Sequence, residues 1–191
     1  VLTHPHPDHV GGLPFILDHF DVDEVWTNGD ESIVEWGAVL LNKMKEKGMT
    51  PRLLTSRTTP MDIGGVRIRV LNPDRSASPN EVYTDREINE RALVLQLTWG
   101  EASFLLPSDI GESTESALVS RCRTLPGRVL LSPHHGSAYY NSTAFLRAVR
   151  PETIVISTGR PLRADALERM GKTGAAVYRT DVHGAVRVIT D

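Results

Sequence analysis

The sequence predicts a single-domain α/β protein built from layers of helices and strands. Predicted strands and helices alternate along the chain, and a few strands follow one another directly, which favours a layered α/β architecture over a helical bundle or a pure β-sandwich. The 191 residues are within the usual size of one domain, and no linker or internal repeat divides residues 1–191. A composition of 40% hydrophobic and 24% charged residues is that of a folded chain and excludes general disorder.

In the first half of the chain, the elements follow from apolar periodicity and from turn residues. The clearest is an amphipathic helix, with Ile33, Trp36 and Leu40 on one face of residues 31–47 and Gly48 at its end. The predicted elements of this half are the end of a strand at residues 1–3, a loop at 4–12, a helix at 13–20, a strand at 24–27, the helix at 31–47 and strands at 52–54 and 66–71.

In the second half, apolar runs of strand length alternate with helical patterns. Gly100 and Glu101 form a turn between two consecutive strands. The predicted elements are a polar loop at residues 72–80, strands at 92–99 and 102–106, a helix at 112–122, a strand at 128–131, a loop at 133–137, a helix at 143–149, a strand at 153–157, a helix at 164–172 and strands at 176–178 and 185–189.

Composition and charge exclude several classes of protein. Cys122 is the one cysteine, which rules out an internal disulfide framework and a zinc cluster built on cysteines. No apolar run reaches the length of a membrane span, and the first residues do not resemble a signal peptide. The net charge of −3 is not that of a strongly basic nucleic-acid binder. Because the chain begins with Val1 rather than Met, we expect it to be a fragment of a longer polypeptide.

The strongest chemical signature is the segment HPHPDH at residues 4–9, an H-x-H-x-D-H pattern. In an extended loop the side chains of His4, His6 and Asp8 point the same way, whereas His9 points elsewhere. Imidazole nitrogens and carboxylate oxygens are suitable ligands for Zn²⁺ or Mn²⁺. The segment therefore predicts a site for two metal ions, with His4 and His6 on one ion and Asp8 and His9 on the other.

Two further segments add candidate site residues. His134 and His135 follow an apolar strand in the segment SPHHGS, and active-site loops are common at strand ends in α/β proteins. Asp109 also follows an apolar strand, in LLPSDI, where a carboxylate can bridge two metal ions or, alternatively, cap the next helix. The order of these segments along the chain favours the metal-binding interpretation of Asp109.

These residues resemble the metallo-β-lactamase superfamily and, within it, the metallo-β-lactamase-like domain of the ComEC family of DNA-internalisation competence proteins. The H-x-H-x-D-H pattern is typical of the whole superfamily, whereas the HHGS and YRTD segments point to the competence branch. The similar segments follow the order of the family and cover nearly the whole chain: residues 3–13, 92–110, 131–137, 154–159 and 178–188.

The resemblance implies a four-layer αββα sandwich with the metal site at the edges of its sheets. The superfamily fold has strands before the H-x-H-x-D-H pattern, so we expect one sheet of this chain to lack its N-terminal strands. The resemblance also implies one domain of a multispanning protein of the bacterial cytoplasmic membrane. That domain faces the extracytoplasmic side and degrades the DNA strand that does not enter the cell.

Carried over to this chain, the resemblance assigns six residues to metal binding: His4, His6, Asp8, His9, Asp109 and His135. Asp8 would also orient the attacking water. Of the histidine pair, either member could be the ligand, and we assign His135 to the metal and His134 to proton transfer. The superfamily's middle histidine ligand has no counterpart in the region around Asn89, where the competence branch also tends to have asparagine.

These assignments predict a phosphodiesterase that hydrolyses DNA with a water activated by two Zn²⁺ or Mn²⁺ ions. Two alternatives use the same residues: a metallo-hydrolase of esters, lactones or thioesters, and a degenerate, non-catalytic module that binds metal or DNA. Candidate contacts with DNA are Arg57, Arg147 and Arg160 for phosphates and Tyr139 and Tyr140 for base stacking.

Overall fold

The computed structural model describes residues 1–30, 35–78, 81–122 and 124–190. The helices are α1 (Pro7–Val10), α2 (Leu13–His19), α3 (Glu35–Glu46), α4 (Asp85–Glu90), α5 (Glu112–Arg121), α6 (Thr143–Val149), α7 (Ala164–Gly171) and α8 (Thr180–His183), with a 3-10 turn at Pro133–Gly136. The strands are β1 (Trp26–Thr27), β2 (Arg52–Leu53), β3 (Met61–Ile63), β4 (Val66–Asn72), β5 (Val94–Trp99), β6 (Ala102–Leu106), β7 (Val129–Leu131), β8 (Thr153–Ile156) and β9 (Ala176–Arg179).

The larger sheet contains seven strands in the order β3-β4-β5-β6-β7-β8-β9. Its first four strands are antiparallel neighbours. Gly64 and Gly65 close the β3–β4 hairpin and Gly100 closes the β5–β6 hairpin, and all three have the positive φ that tight turns of this kind require. From β6 onward the neighbours are parallel, because α5, α6 and α7 provide the crossover connections.

Three separate apolar clusters arrange the helices and sheets in four layers. One cluster lies between the larger sheet and helices α5–α7 and includes Leu105 and Phe145, both fully buried. A second joins the two sheets, where Trp26 of β1 shares a core with Ile68 of β4. A third lies between β1 and helices α1–α3 and includes Leu40. The order helix, sheet, sheet, helix confirms the predicted αββα fold.

The smaller sheet consists of β1 and β2, which pair in parallel, and a bridge between Leu2 and Thr27 extends it by one residue pair. Within the described ranges this sheet has no further strand.

Several elements lie where the sequence pattern predicts none. The loop expected at residues 4–12 contains α1, because Pro7 is favourable at the first position of a helix. Strand β3 and helices α4 and α8 are also unpredicted. Helix α4 is too short for an apolar period and is started instead by a capping box, in which Thr84 and Glu87 each accept a hydrogen bond from the other's backbone N–H.

Other predicted elements are wrong or shorter than expected. Residues 185–189 pair with no strand in the described part of the chain, and Ile189 is 75% exposed, because an alternating pattern forms a strand only where a partner strand can pair with it. The strand end expected at residues 1–3 is a single bridge at Leu2. The strand expected at 24–27 is reduced to β1, and the start of the helix expected at 31–47 lies outside the described residues.

The parallel half of the larger sheet determines where the candidate site residues meet. Strands β6, β7 and β8 are parallel neighbours, so their carboxyl ends lie at one edge of the sheet. The loops after these strands therefore stand side by side there. Among the described helices, none has the length and apolar character needed to cross a lipid bilayer.

Candidate metal centre

The H-x-H-x-D-H segment is attached to the edge of the larger sheet by backbone and side-chain hydrogen bonds. The backbone N–H of Leu93 donates to the carbonyl of Thr3 at 3.0 Å. Because α1 begins at Pro7, Asp8 and His9 lie on a helical turn and not in the extended loop that the sequence predicts. The expectation that His9 points away from Asp8 is therefore wrong, and both side chains reach the same cluster.

Four side chains converge at this edge: Asp8, His9, Asp109 and His135, whose candidate ligand atoms all lie within 4.8 Å of one another. Asp109 is central, because its Oδ1 is 3.4 Å from Nε2 of His9 and its Oδ2 is 3.4 Å from Nε2 of His135. Oδ2 of Asp8 is 3.4 Å from Nε2 of His135. The Asp109 carboxylate thus lies between imidazoles that come from opposite parts of the chain.

His134 and His135 are adjacent in sequence but face different surroundings. Both have left-handed backbone conformations, with φ of 48° and 56°, and these turn the chain sharply after β7. Nδ1 of His135 is 3.0 Å from the carbonyl oxygen of Ser157, which leaves Nε2 for the cluster. Nδ1 of His134 is 3.3 Å from the carbonyl oxygen of Asp109, and its ring packs on Tyr140 with centroids 4.9 Å apart. The structure brings His135 into the cluster and leaves His134 beside it.

His4 and His6 form a pair next to the four-residue cluster. Nε2 of His4 is 3.1 Å from Nδ1 of His6, and the ring centroids of His4 and His9 are 4.1 Å apart. Burial, and then the neighbouring His9, lower the pKa of His4 to about 3. The imidazole of His4 is therefore neutral at ordinary pH, which is the form that binds metal ions. His6 lies toward α4, with its Nε2 3.9 Å from Oδ1 of Asp85.

The charge of Asp109 dominates the electrostatics of the cluster. Burial alone would raise the pKa of Asp109, but the imidazoles of His135 and His9 outweigh burial and hold its pKa far below the usual range. The same contact with Asp109 raises the pKa of His135 to about 9, although burial opposes the shift. His135 is therefore protonated at neutral pH when no cation is bound, and a metal ion that takes its Nε2 as a ligand would displace this proton.

The donor atoms of the cluster fit a divalent metal ion. Nε2 of His9 and Nε2 of His135 are buried 3.4 Å from the Asp109 carboxylate, and neither forms a hydrogen bond of good geometry with any described residue. Buried polar atoms without partners are rare, and at functional sites they are explained by a ligand or an ion. Two imidazole nitrogens and two carboxylates could hold one ion, and the His4–His6 pair could contribute to a second.

Two residues that orient the histidines were not candidates in the sequence. Oγ1 of Thr3 is 3.1 Å from Nδ1 of His4 and 3.4 Å from Nδ1 of His9, and it accepts a hydrogen bond from Oγ of Ser108 at 2.9 Å. Contacts of this kind determine which imidazole nitrogen faces a metal ion. The position of Thr3 directly before the motif was the available signal, whereas no pattern pointed to Ser108.

A buried polar network supports the loop that follows β7, and no sequence pattern pointed to it. The carboxylate of Glu115 accepts hydrogen bonds from the backbone N–H groups of Asn141 at 2.6 Å and Ser142 at 2.9 Å. The Asn141 side chain accepts a bond from Oγ of Ser132 at 2.8 Å and donates one to the carbonyl of Pro133 at 3.2 Å. This network fixes the backbone on both sides of the histidine pair.

The structure separates the other sequence candidates. A cleft of about 690 Å³ opens from the cluster, and Arg160 and Tyr139 line it, whereas Arg57 and Arg147 do not. Asn89, in the region where the superfamily pattern has a histidine, is buried on α4, and its Oδ1 has no hydrogen-bond partner within the described residues.

An αββα sandwich with a cluster of His and Asp side chains at the sheet edge defines a metal-dependent hydrolase. The chain belongs to the metallo-beta-lactamase superfamily, whose family model matches residues 1–160.

The curated relatives include competence proteins, which confirms the predicted resemblance to that branch. The chain is 24% identical over 199 residues to ComE operon protein 3 of Bacillus subtilis, covering 98% of this chain and 24% of the relative. It is 30% identical over 195 residues to Recombination protein 2 of Haemophilus influenzae, covering 98% of this chain and 22% of the relative. It is 34% identical over 106 residues to Competence protein ComA of Neisseria gonorrhoeae, covering 52% of this chain and 15% of the relative. The chain therefore spans about a quarter or less of these relatives.

Solved structures show the same fold at low sequence identity. A protein from Parabacteroides distasonis that is described as a metal-dependent hydrolase superposes with a TM-score of 0.60 at 14% identity, over 94% of this chain and 74% of that one. A variant of the CmlA β-hydroxylase superposes with a TM-score of 0.54 at 13% identity, over 93% of this chain and 42% of that one.

Proposed function

We propose that this chain is the metal-dependent phosphodiesterase domain of a DNA-uptake protein and that it hydrolyses DNA at the cluster. The proposal depends above all on the convergence of Asp8, His9, Asp109 and His135 at one sheet edge beside an open cleft. The relatedness to competence proteins indicates DNA as the substrate.

The proposed metal ligands are those assigned from the family resemblance: His4, His6, Asp8, His9, Asp109 and His135. Asp109 is suited to bridge two ions because its two oxygens face different imidazoles. The His4–His6 pair is suited to one ion because its members are in contact and lie next to His9. When bound, two divalent ions would lower the pKa of an attacking water and offset the charge that builds on the phosphoryl oxygens.

Two residues of the chain take the remaining roles. The Asp8 side chain is 62% exposed, so its carboxylate can accept a hydrogen bond from the attacking water and orient it. His134 lines the cleft, and its Nδ1 is engaged by the carbonyl oxygen of Asp109. Nε2 of His134 is therefore the nitrogen that donates a proton to the departing oxygen.

The wider setting is part of the same proposal. Residues 1–191 would form one domain of a longer protein of the bacterial cytoplasmic membrane, and the domain would meet DNA on the extracytoplasmic side. Support comes from the relatives, of which this chain covers about a quarter of the length or less. The open cleft favours a polymer over a small ester, lactone or thioester, for which an enclosed pocket is typical.

Metal loading and DNA cleavage together test the proposal. Native mass spectrometry of the protein loaded with Zn²⁺ or Mn²⁺ should show about two ions per chain, and the loaded protein should cleave a labelled DNA oligonucleotide. Asp109→Asn should lose ions and cleavage together, because the bridging carboxylate would lose its charge. His19→Asn, at an exposed histidine of α2 outside the cluster, should change neither measurement.

The variant His134→Ala separates the roles of the two adjacent histidines. It should keep the ions and slow cleavage by about 10²- to 10⁴-fold, the usual contribution of a general acid. Loss of an ion in this variant would instead make His134 a ligand. One ion or none in a folded protein, or two ions without cleavage, would contradict the two-metal nuclease.

A further inference from the structure

The cleft beside the cluster is a continuation of the candidate metal centre. Asp8, His134 and His135 line the end at the cluster, and the cleft then passes between the loop that follows β7 and the loop that follows β8. Arg160 and Arg163 line it on the second of these loops. A ligand that lies in the cleft therefore has one end at the cluster.

Charge is distributed unevenly along this cleft. Asp8 is the one acidic residue in its lining and lies at the cluster, whereas both arginines come from the loop after β8. The guanidinium of Arg163 is paired with Asp165 at 3.0 Å. Arg160 is exposed and makes no ion pair within the described residues, so its charge is available to an anion such as a phosphate diester.

An aromatic ring is also available in the cleft lining. The side chain of Tyr139 is 79% exposed, although Tyr140 beside it is half-buried against His134. An exposed tyrosine and an unpaired arginine in the lining of one cleft are a combination with which proteins bind single strands, since the ring stacks on a base and the guanidinium contacts the backbone. Stacking requires a base that is not paired within a duplex.

We propose that the cleft binds single-stranded DNA, with a base stacked on Tyr139 and a backbone phosphate on Arg160, and that it leads the strand to the metal centre. The inference rests on the proposed function and deepens it, because it names the form of the substrate and the residues that hold it away from the bond that is cleaved.

Binding is tested separately from cleavage by fluorescence anisotropy with a labelled phosphorothioate oligothymidylate, which resists hydrolysis, and with the same strand in a duplex. The protein is used both loaded with Mn²⁺ and free of metal. We expect it to bind the single strand more tightly than the duplex. Tyr139→Ala should weaken single-strand binding by about fivefold or more, and Tyr139→Phe, which keeps the ring, should restore it.

A second set of variants tests the proposed phosphate contact by comparing two exposed arginines. Arg160→Gln should weaken binding and reduce the slope of log affinity against log salt by about 0.7, the value for one phosphate contact on a single strand. Arg187→Gln is the matched control, because Arg187 is exposed, makes no ion pair within the described residues and does not line the cleft. It should leave both quantities unchanged.

Several outcomes would overturn the inference: unchanged single-strand affinity in Tyr139→Ala, an effect of Arg160→Gln no greater than that of Arg187→Gln, or tighter binding of the duplex. The two proposals fail independently. If the expected binding pattern occurs but the natural oligonucleotide is not cleaved, the nuclease proposal fails and the proposal of single-strand binding in the cleft stands. If DNA is cleaved but the cleft variants bind like the unmodified protein, only the proposal of single-strand binding in the cleft is overturned.

Discussion

The Glu115 carboxylate links helix α5 to the loop that carries His134 and His135. It is 1% exposed and accepts bonds from two consecutive backbone N–H groups, at Asn141 and Ser142. The guanidinium of Arg169 binds the same segment from another side, by donating to the carbonyls of Ala138, Tyr140 and Asn141. The loop of the histidine pair is thus held by polar contacts from Glu115 and Arg169, neither of which lines the cleft.

Replacing this carboxylate should cost the protein much of its stability. Glu115→Ala leaves two buried N–H groups without acceptors, and each such group costs about 1–3 kcal/mol, so the free energy of unfolding should fall by about 2 kcal/mol or more. The control is Glu112→Ala, at an exposed carboxylate in the first turn of the same helix, which should cost less than about 1 kcal/mol. Urea unfolding measures both, and equal losses would show that the network has no special role.

The same residue predicts a pH dependence. Burial raises the pKa of Glu115 above its ordinary 4.5, against the hydrogen bonds from Ser142 and Asn141. Because the pKa of Glu115 is higher in the folded state, protonation of Glu115 adds to the free energy of unfolding. This contribution is fully present below the pKa of the unfolded state and is lost as pH rises through the pKa of the folded state. Glu115→Gln does not titrate, so the stability of the wild type relative to this variant should fall as pH rises above about 4.5. A constant difference across that range would contradict the assignment.

At the residue scale, the candidate metal ligands could be predicted from the sequence, but the residues that hold them in position could not. The spacing of His4, His6 and Asp8 has a direct chemical meaning, because metal ions require these donor types close together. Glu115 and Ser108 could not be found, since a buried carboxylate or a serine hydroxyl has no recognisable spacing and acts only through residues distant in sequence. The direction of His9 was mispredicted because one turn of helix replaces the extended loop.

Among the elements, the 3-10 turn Pro133–Gly136 depends on a close contact with the sheet. Gly136 has φ of 78°, and a Cβ at this position would lie 2.7 Å from Cγ2 of Ile156 and 3.2 Å from the Leu162 methyl carbons. Both the backbone conformation and the space therefore require glycine. Gly136, which directly follows His135, therefore lies against Ile156 of β8.

Gly136→Ala should lower the free energy of unfolding by about 1–3 kcal/mol, because it adds left-handed strain to overpacking. In thermal unfolding this corresponds to a decrease in Tm of about 2–4 °C for each kcal/mol in a chain of this size. Gly159→Ala is the matched control: this residue lies in the neighbouring loop, its φ is not positive, and a Cβ would meet nothing within 4 Å. A similar loss in both variants would refute the packing argument.

At the element scale, periodic segments were predictable and short ones were not. Strand β5 and helix α6 follow from apolar patterns that span most of their length. Helices α4 and α8 contain too few residues to show a period, although the capping box of Thr84 and Glu87 was a usable signal for α4. The pattern of residues 185–189 suits a strand, but strand formation depends on a partner, and a local pattern does not contain that information.

On the scale of the whole molecule, the candidate metal centre joins parts of the chain that are far apart in sequence. Asp8 and His9 belong to α1, Asp109 follows β6 and His135 follows β7. A cation that binds all of them should therefore stabilise the entire fold. Binding to the folded state alone adds RT ln(1 + [L]/Kd), about 2.7 kcal/mol when the free ion exceeds its Kd a hundredfold.

Metal removal should consequently lower the Tm of the whole protein in one cooperative step, by roughly 5–10 °C from saturation with Zn²⁺ or Mn²⁺. Differential scanning calorimetry before and after dialysis against a chelator measures the shift. Asp109→Asn should largely abolish it, whereas His19→Asn, outside the cluster, should retain it in full. A shift that survives in Asp109→Asn would place the stabilising ion elsewhere.

The overall architecture was predictable because alternating elements restrict the possible layers, and the family resemblance supplied their order. The strand order of the larger sheet and the size of the smaller sheet were not predictable in the same way. They depend on which strands pair across long stretches of chain, such as β4 with β5 and β6 with β7.

The hydrogen bond between Thr3 and Ser108 spans 105 residues of sequence, and its consequence concerns the order of folding. Closing so large a loop reduces the conformational entropy of the chain. The contacts that compensate for this loss form only when the intervening sheet forms. During synthesis the HPHPDH segment is made before the residues that follow β6 and β7, so it can meet them only after those residues have been added. The metal centre is therefore assembled late, and an intact centre is evidence that the rest of the domain has already folded.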